Sequence, residues 1–124
     1  MTSYPRRKNA RLREHDYSTA GAYFVTIVVA RRIPLLGDIA DGRVRLTPLG
    51  VAVSERWQAI AGMSAGLRLG ALVVMPNHIH GVIVLTEAPA PPPIPRVVQS
   101  FKSITTNDYH RLVPRWAQSG PKLW

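Results

Sequence analysis

Two histidines one residue apart, His78 and His80, open an apolar run rich in β-branched residues, HIHGVIVL. On a strand, residues two apart leave the same face with their Cβ atoms roughly 6.5–7 Å apart, so the two imidazoles stand side by side. Neutral imidazoles at that spacing can converge on one metal ion. The plainer reading is a pair that packs or hydrogen-bonds on the sheet surface. Val82 and Val84 follow on the same face, and Ile79, Ile83 and Leu85 occupy the other, so the rings sit in an otherwise apolar strand. A partly buried imidazole without a partner loses water at its ring nitrogens and gains nothing in return. The pair therefore calls for a ligand, a metal or a hydrogen-bond network.

The elements that must hold this pair can be read from hydrophobic period and turn chemistry. Residues 69–75 and 78–85 are two β-type runs separated only by Pro76 and Asn77, which predicts an antiparallel hairpin with a tight turn. Residues 23–29 (YFVTIVV) are apolar at both parities, interrupted by Thr26. That pattern predicts a strand covered on both faces at the sheet centre. Asp41-Gly42 between residues 37–40 and 43–46 predicts a small peripheral hairpin, because both central residues of such a turn take positive φ. Thr47-Pro48 reads as an N-cap followed by proline at the first helical position. Leu49, Val53, Trp57 and Ile60 then mark one helical face, and Gly62 and Gly66 end the helix.

Residues 86–95 (TEAPAPPPIP) hold five of the eleven prolines and predict an extended connector. Helical spacing resumes with Val97, Phe101 and Ile104, continues to Leu112 and breaks at Pro114. The tail from Trp116 to Trp124 shows no periodicity of a packed element.

Composition narrows the function classes. Sixteen Lys and Arg against seven Asp and Glu give a formal charge of +9 in 124 residues, and the pI is near 11.1. Such a field attracts polyanions, nucleic acid before a membrane surface, since no basic amphipathic helix with large apolar anchors is present. No apolar run approaches the roughly 18 residues of a membrane-spanning helix. The absence of cysteine excludes disulfides, thiolate zinc sites and a cysteine nucleophile, and fits an intracellular setting. The chain divides into a basic arm, residues 1–16, with Arg6, Arg7, Lys8, Arg11 and Arg13, and one small domain, residues 17–124.

The segment VVMPNHIHGVIV, residues 73–84, resembles the signature of the single-tyrosine HUH transposases, especially the branch associated with repetitive extragenic palindromes. Collinear segments agree: YSTAGAYFVTI (17–27) with the family's first strand, LTPLG (46–50) leading to Glu55-Arg56-Trp57 with its first helix, and Ser100-Phe101-Lys102-Ser103 with the start of its next helix. The resemblance covers residues 11–124 and implies an α+β, ferredoxin-like antiparallel sheet with helices. It implies a bacterial, cytoplasmic protein that binds DNA as single strands or hairpins, with dimerisation as a family habit. It further implies a divalent ion, magnesium or manganese, held by His78 and His80. The family cuts DNA with a tyrosine that forms a 5′-phosphotyrosine, while the ion stabilises charge on the phosphate oxygens. Lys102 and the arm's cations would contact phosphates without reading sequence. Imidazole by itself favours zinc, copper or nickel, so a magnesium shell would need water and phosphate oxygens to complete it.

The chain departs from the family pattern at its end. In the family a W-Q-R-N-Y-Y-E-H-like segment follows the point where this sequence reads Lys122-Leu123-Trp124. Beyond it lies the helix with the nucleophilic tyrosine and an amide-type metal ligand. The expectation is therefore a C-terminally truncated member. Its helical tyrosine, Tyr109, is a weak substitute nucleophile or a surface ring aligned with Val98, Lys102 and Thr105. Asp108, His110 and Glu14 are weak candidates for a third ligand, and loss of the last helix is expected to bare one sheet face. Two functions follow: a DNA strand-transfer protein completed by a segment supplied from elsewhere, or a noncatalytic nucleic-acid-binding remnant. A small metal-binding or interaction domain unrelated to nucleic acid is a third.

Overall fold

A computed structural model describes residues 20–87 and 92–124. The main sheet has three antiparallel strands in the order β1 (Gly21–Val28), β5 (His78–Leu85), β4 (Leu67–Met75). A separate two-stranded sheet is formed by β2 (Gly37–Ala40) and β3 (Arg43–Leu46). Helices α1 (Pro48–Ile60) and α2 (Ile94–Leu112) complete the fold. Leaving the small hairpin aside, the order β1-α1-β4-β5-α2 with β5 between β1 and β4 is the split β-α-β arrangement of ferredoxin-like folds. The α+β, antiparallel architecture expected from the sequence is the one observed.

The strand carrying the two histidines is the central one. β5 pairs with β1 on one side, setting Val28 opposite His78 and Thr26 opposite His80. It pairs with β4 on the other, setting Met75 opposite His78 and Val73 opposite His80. This corrects the placement of 23–29: among the described residues β1 is an edge strand, covered on one face only. Tyr23, Val25 and Ile27 point into the core, whereas Phe24 and Val28 are 48% and 38% exposed. Apolar residues at both parities thus mark a strand with one buried face and one open apolar face.

Helix α1 begins where the cap chemistry places it. The Thr47 hydroxyl accepts from the Gly50 N–H at 3.1 Å and donates to the Leu35 carbonyl at 2.7 Å. Leu49, Val53, Trp57 and Ile60 are all buried. The small hairpin turns at Asp41 and Gly42, with φ of 53° and 71°, the positive pair such a turn needs.

Two expectations about the second half change. Helix α2 starts at Ile94 with a proline in its first turn, so the proline-rich stretch ends inside a helix, where a missing N–H costs nothing. The tail is also packed. Leu123 is fully buried, its carbonyl accepts from the Ala30 N–H at 2.8 Å, and the Trp124 indole N–H donates to Thr105 Oγ1 at 2.8 Å. Isolated anchors of this kind leave no period in the sequence. Among the described residues no helix is long and apolar enough to cross a membrane.

Candidate metal and nucleic-acid site

The inward face of β5 explains how its outward face is held. Ile79, Ile83 and Leu85 are buried under the helices, and between them Gly81 lies against the Trp57 indole. Trp57 meets the Phe101 ring edge-on, centroids 5.4 Å apart, which ties α1 and α2 together over the strand. With that face fixed, alternation turns His78 and His80 to the opposite side.

There the imidazoles approach each other through their Nε2 atoms, 3.0 Å apart, with the rings at 80°. Each Nδ1 is engaged: His78 Nδ1 lies 2.8 Å from Asn77 Oδ1, and His80 Nδ1 lies 2.9 Å from Thr26 Oγ1. The His78 pKa is held below the usual imidazole value, first by burial, then by the neighbouring His80 and by the Arg32 guanidinium. The His78 ring is thereby favoured in the neutral form that a metal requires.

The donor geometry suits an ion. Two ligands about 2.1 Å from an octahedral ion and cis to each other are separated by about 3.0 Å, and around tetrahedral zinc by about 3.4 Å. The observed Nε2 separation of 3.0 Å is close to the former, and it is equally the length of an N–H···N hydrogen bond between the rings. Among the described residues no group of three or more His, Cys, Asp and Glu side chains is placed to share an ion. A shell built on the two imidazoles would need water or substrate oxygens at its other positions.

The expected helpers do not join them. Asp108 is buried and accepts from Arg56 at 2.9 and 3.1 Å and from Arg111 at 2.9 Å. Those bonds, Arg56's foremost, hold its carboxyl below the usual range. It is an α1–α2 tie. His110 faces Gln118 at 3.3 Å on α2, and Glu14 lies outside the described residues. Tyr109 corrects the expectation of a surface ring: it is fully buried, its hydroxyl donates to the Gly120 carbonyl at 2.8 Å and accepts from the Ser119 N–H at 3.1 Å. A phosphate cannot reach that oxygen in this arrangement. Tyr23 is buried as well, and Tyr4 and Tyr17 lie outside the described residues.

The face around the histidines is open. A shallow concavity beside His80 is lined by Phe24, Thr26, Ala71, Val73 and Val82. None of the three strands carries an Asp or Glu. Arg68, opposite Val84, stands on this face at the far end from His78, and Arg31 and Arg32 follow β1 at the near end. Lys102 is exposed on α2, and Arg6, Arg7, Lys8, Arg11 and Arg13 lie outside the described residues. Sequence reasoning missed Thr26, Asn77 and Arg32 as partners of the pair. The one signal for them was Thr26 itself, a polar residue interrupting an apolar strand.

No protein-family profile matches the chain. It is 35% identical over 81 residues to an uncharacterized protein of Haemophilus influenzae, an alignment covering 65% of this chain. The chain spans 45% of the length of that relative. Among solved structures it resembles a Deinococcus radiodurans R1 protein proposed to be a transposase, with a TM-score of 0.61 and 22% identity. That match covers 91% of this chain and 78% of the other, and it establishes the shared fold.

Proposed function

We propose that this chain is a transposase-type DNA-binding protein of the HUH kind, which engages single-stranded or hairpin DNA and holds a divalent ion, magnesium or manganese, on His78 and His80. The observation that carries the reading is the pair of Nε2 atoms 3.0 Å apart on an open face of a sheet whose three strands carry no carboxylate. Its support comes from the +9 charge and from a fold shared with a protein proposed to be a transposase. An ion there would supply positive charge to phosphate oxygens. The chain's own residues do the rest: His78 and His80 orient the ion toward solvent, and Arg32 and Arg68 at the two ends favour the polyanion over neutral ligands.

Strand cleavage needs a tyrosine hydroxyl that neither Tyr23 nor Tyr109 can offer. The buried Tyr109 therefore favours a second reading for this stretch of chain, nucleic-acid binding without cleavage. Cleavage then depends on a tyrosine from another segment or from a partner chain.

Incubation with labelled single-stranded and hairpin oligonucleotides and manganese, followed by denaturing electrophoresis, separates the two. A covalent protein–DNA adduct that disappears in His78→Ala supports strand transfer, and binding without an adduct supports the second reading. Absence of binding at low salt overturns both.

A further inference from the structure

We infer that Thr26 and Asn77 are positioning residues that set the two imidazoles in opposite tautomers, with Thr26 acting as a reversible partner that lets His80 change tautomer when an ion binds. The inference rests on the reading of His78 and His80 as ion ligands, but its first consequence concerns the metal-free protein.

The derivation starts from a group with no choice of role. The Arg32 carbonyl can only accept, and it lies 3.3 Å from Asn77 Nδ2. That contact orients the amide, leaving Asn77 Oδ1 toward His78 Nδ1 at 2.8 Å. An amide oxygen only accepts, so His78 Nδ1 carries the ring proton. A neutral imidazole has one such proton, and His78 Nε2 is therefore a bare lone pair.

That lone pair faces His80 Nε2 at 3.0 Å. Two lone pairs do not approach so closely, so His80 carries its proton on Nε2 and donates it to His78. His80 Nδ1 is then an acceptor, and the Thr26 hydroxyl 2.9 Å away donates to it. The bonds run in one direction: Thr26 O–H to His80 Nδ1, His80 Nε2–H to His78 Nε2, His78 Nδ1–H to Asn77 Oδ1, and Asn77 Nδ2–H to the Arg32 carbonyl. Arg31 and Arg32 sit at φ of 61° and 57°, in the left-handed region that non-glycine residues seldom occupy, and this turn aims the terminal carbonyl at Asn77.

His78 is thus ready to ligate through Nε2, and His80 is not. For both Nε2 atoms to face one ion, His80 must release its Nε2 proton to water and take one from water at Nδ1, leaving its charge unchanged. Its partner must then turn from donor to acceptor. A hydroxyl does so by rotating about one bond, with no movement of the strand. Ring orientation and tautomer set by such partners are common at histidine metal sites.

Long-range proton–nitrogen NMR on the metal-free protein, above the ordinary imidazole titration range, reads the tautomers directly. The expected result is a proton on Nδ1 of His78 and on Nε2 of His80, and a proton on Nδ1 of His80 would overturn the inference. Zinc binding followed by calorimetry supplies the second reading. Thr26→Val keeps the shape without the hydroxyl and is expected to weaken zinc roughly 10- to 100-fold, with recovery in Thr26→Ser. Unchanged affinity in Thr26→Val, with its backbone amide spectrum intact, refutes the positioning role. If the unaltered protein binds no zinc while the tautomers are as stated, the ion reading and the ion-linked switch fall together, and the metal-free order stands.

Discussion

Gly81 and Trp57 are in direct contact across the sheet–helix interface: a Cβ on Gly81 would stand 2.5 Å from Cζ2 of the indole and 2.6 Å from Cη2. The glycine between His80 and Val82 is thus the notch that seats α1 on the histidine strand.

Gly81→Ala is expected to destabilise the fold by about 1–3 kcal/mol, since a rigid ring in a packed core cannot move aside cheaply. Urea unfolding measures this, and Trp57→Phe in the same background should recover part of the loss. Phenylalanine also removes the Trp57 Nε1 group, which is buried with no hydrogen-bond partner among the described residues. An unchanged midpoint in Gly81→Ala would mean the helix does not rest on this strand.

The Asp108 carboxylate, bonded to Arg56 and Arg111, contributes stability that depends on its charge. Because its folded pKa lies below the ordinary carboxylate value, the contribution is complete above that ordinary value. It is lost as pH falls through the lower, folded one. Asp108→Asn should cost roughly 2 kcal/mol at neutral pH, an amount limited by the exposure of both arginine side chains, 45% and 62%. Thermal melts from neutral to strongly acidic pH test the sign: the gap between the two proteins should narrow as the carboxylate protonates.

His78 also costs stability as pH falls, but here it is the neutral form that the fold favours. Its folded pKa is below the ordinary imidazole value, so as pH falls the unfolded chain binds its proton first and the metal-free protein loses stability through that range. His78→Gln should flatten this part of the stability profile while leaving the carboxylate region unchanged. A slope that persists in the variant would assign the effect to another group.

The tail predicts a fourth outcome. Leu123→Ala empties a fully buried site and should cost about 2–5 kcal/mol. Thr105→Val, which removes the acceptor of the Trp124 indole N–H, should cost about 1–3 kcal/mol. Denaturant midpoints of both variants check this. A silent Leu123→Ala would show that the tail does not complete the core.

The parts of the fold legible from sequence were those with local chemistry. Asp41-Gly42, Thr47-Pro48 and the alternation after His78 each specify backbone geometry within a few residues. Strand order is different, because the apolar run 23–29 looks the same at an edge with one bare face as at a centre with none. Thr26 meets His80 across 54 positions, and although a polar residue in an apolar strand marks Thr26 as unusual, nothing local names His80 as its partner. Asp108 reads as a candidate ligand and Tyr109 as a surface ring because their partners, Arg56 on another helix and Gly120 after a turn, become visible only when the chain is folded.

The absence of acidic side chains from the main sheet has a consequence for how the site would fill. Two neutral imidazoles cancel none of an ion's double charge, so a bound ion would repel further cations and draw in a phosphodiester. Each ligand would then raise the other's affinity by the same factor. Ion occupancy would follow the local concentration of DNA strands, and a protein away from nucleic acid would return its ion to solution.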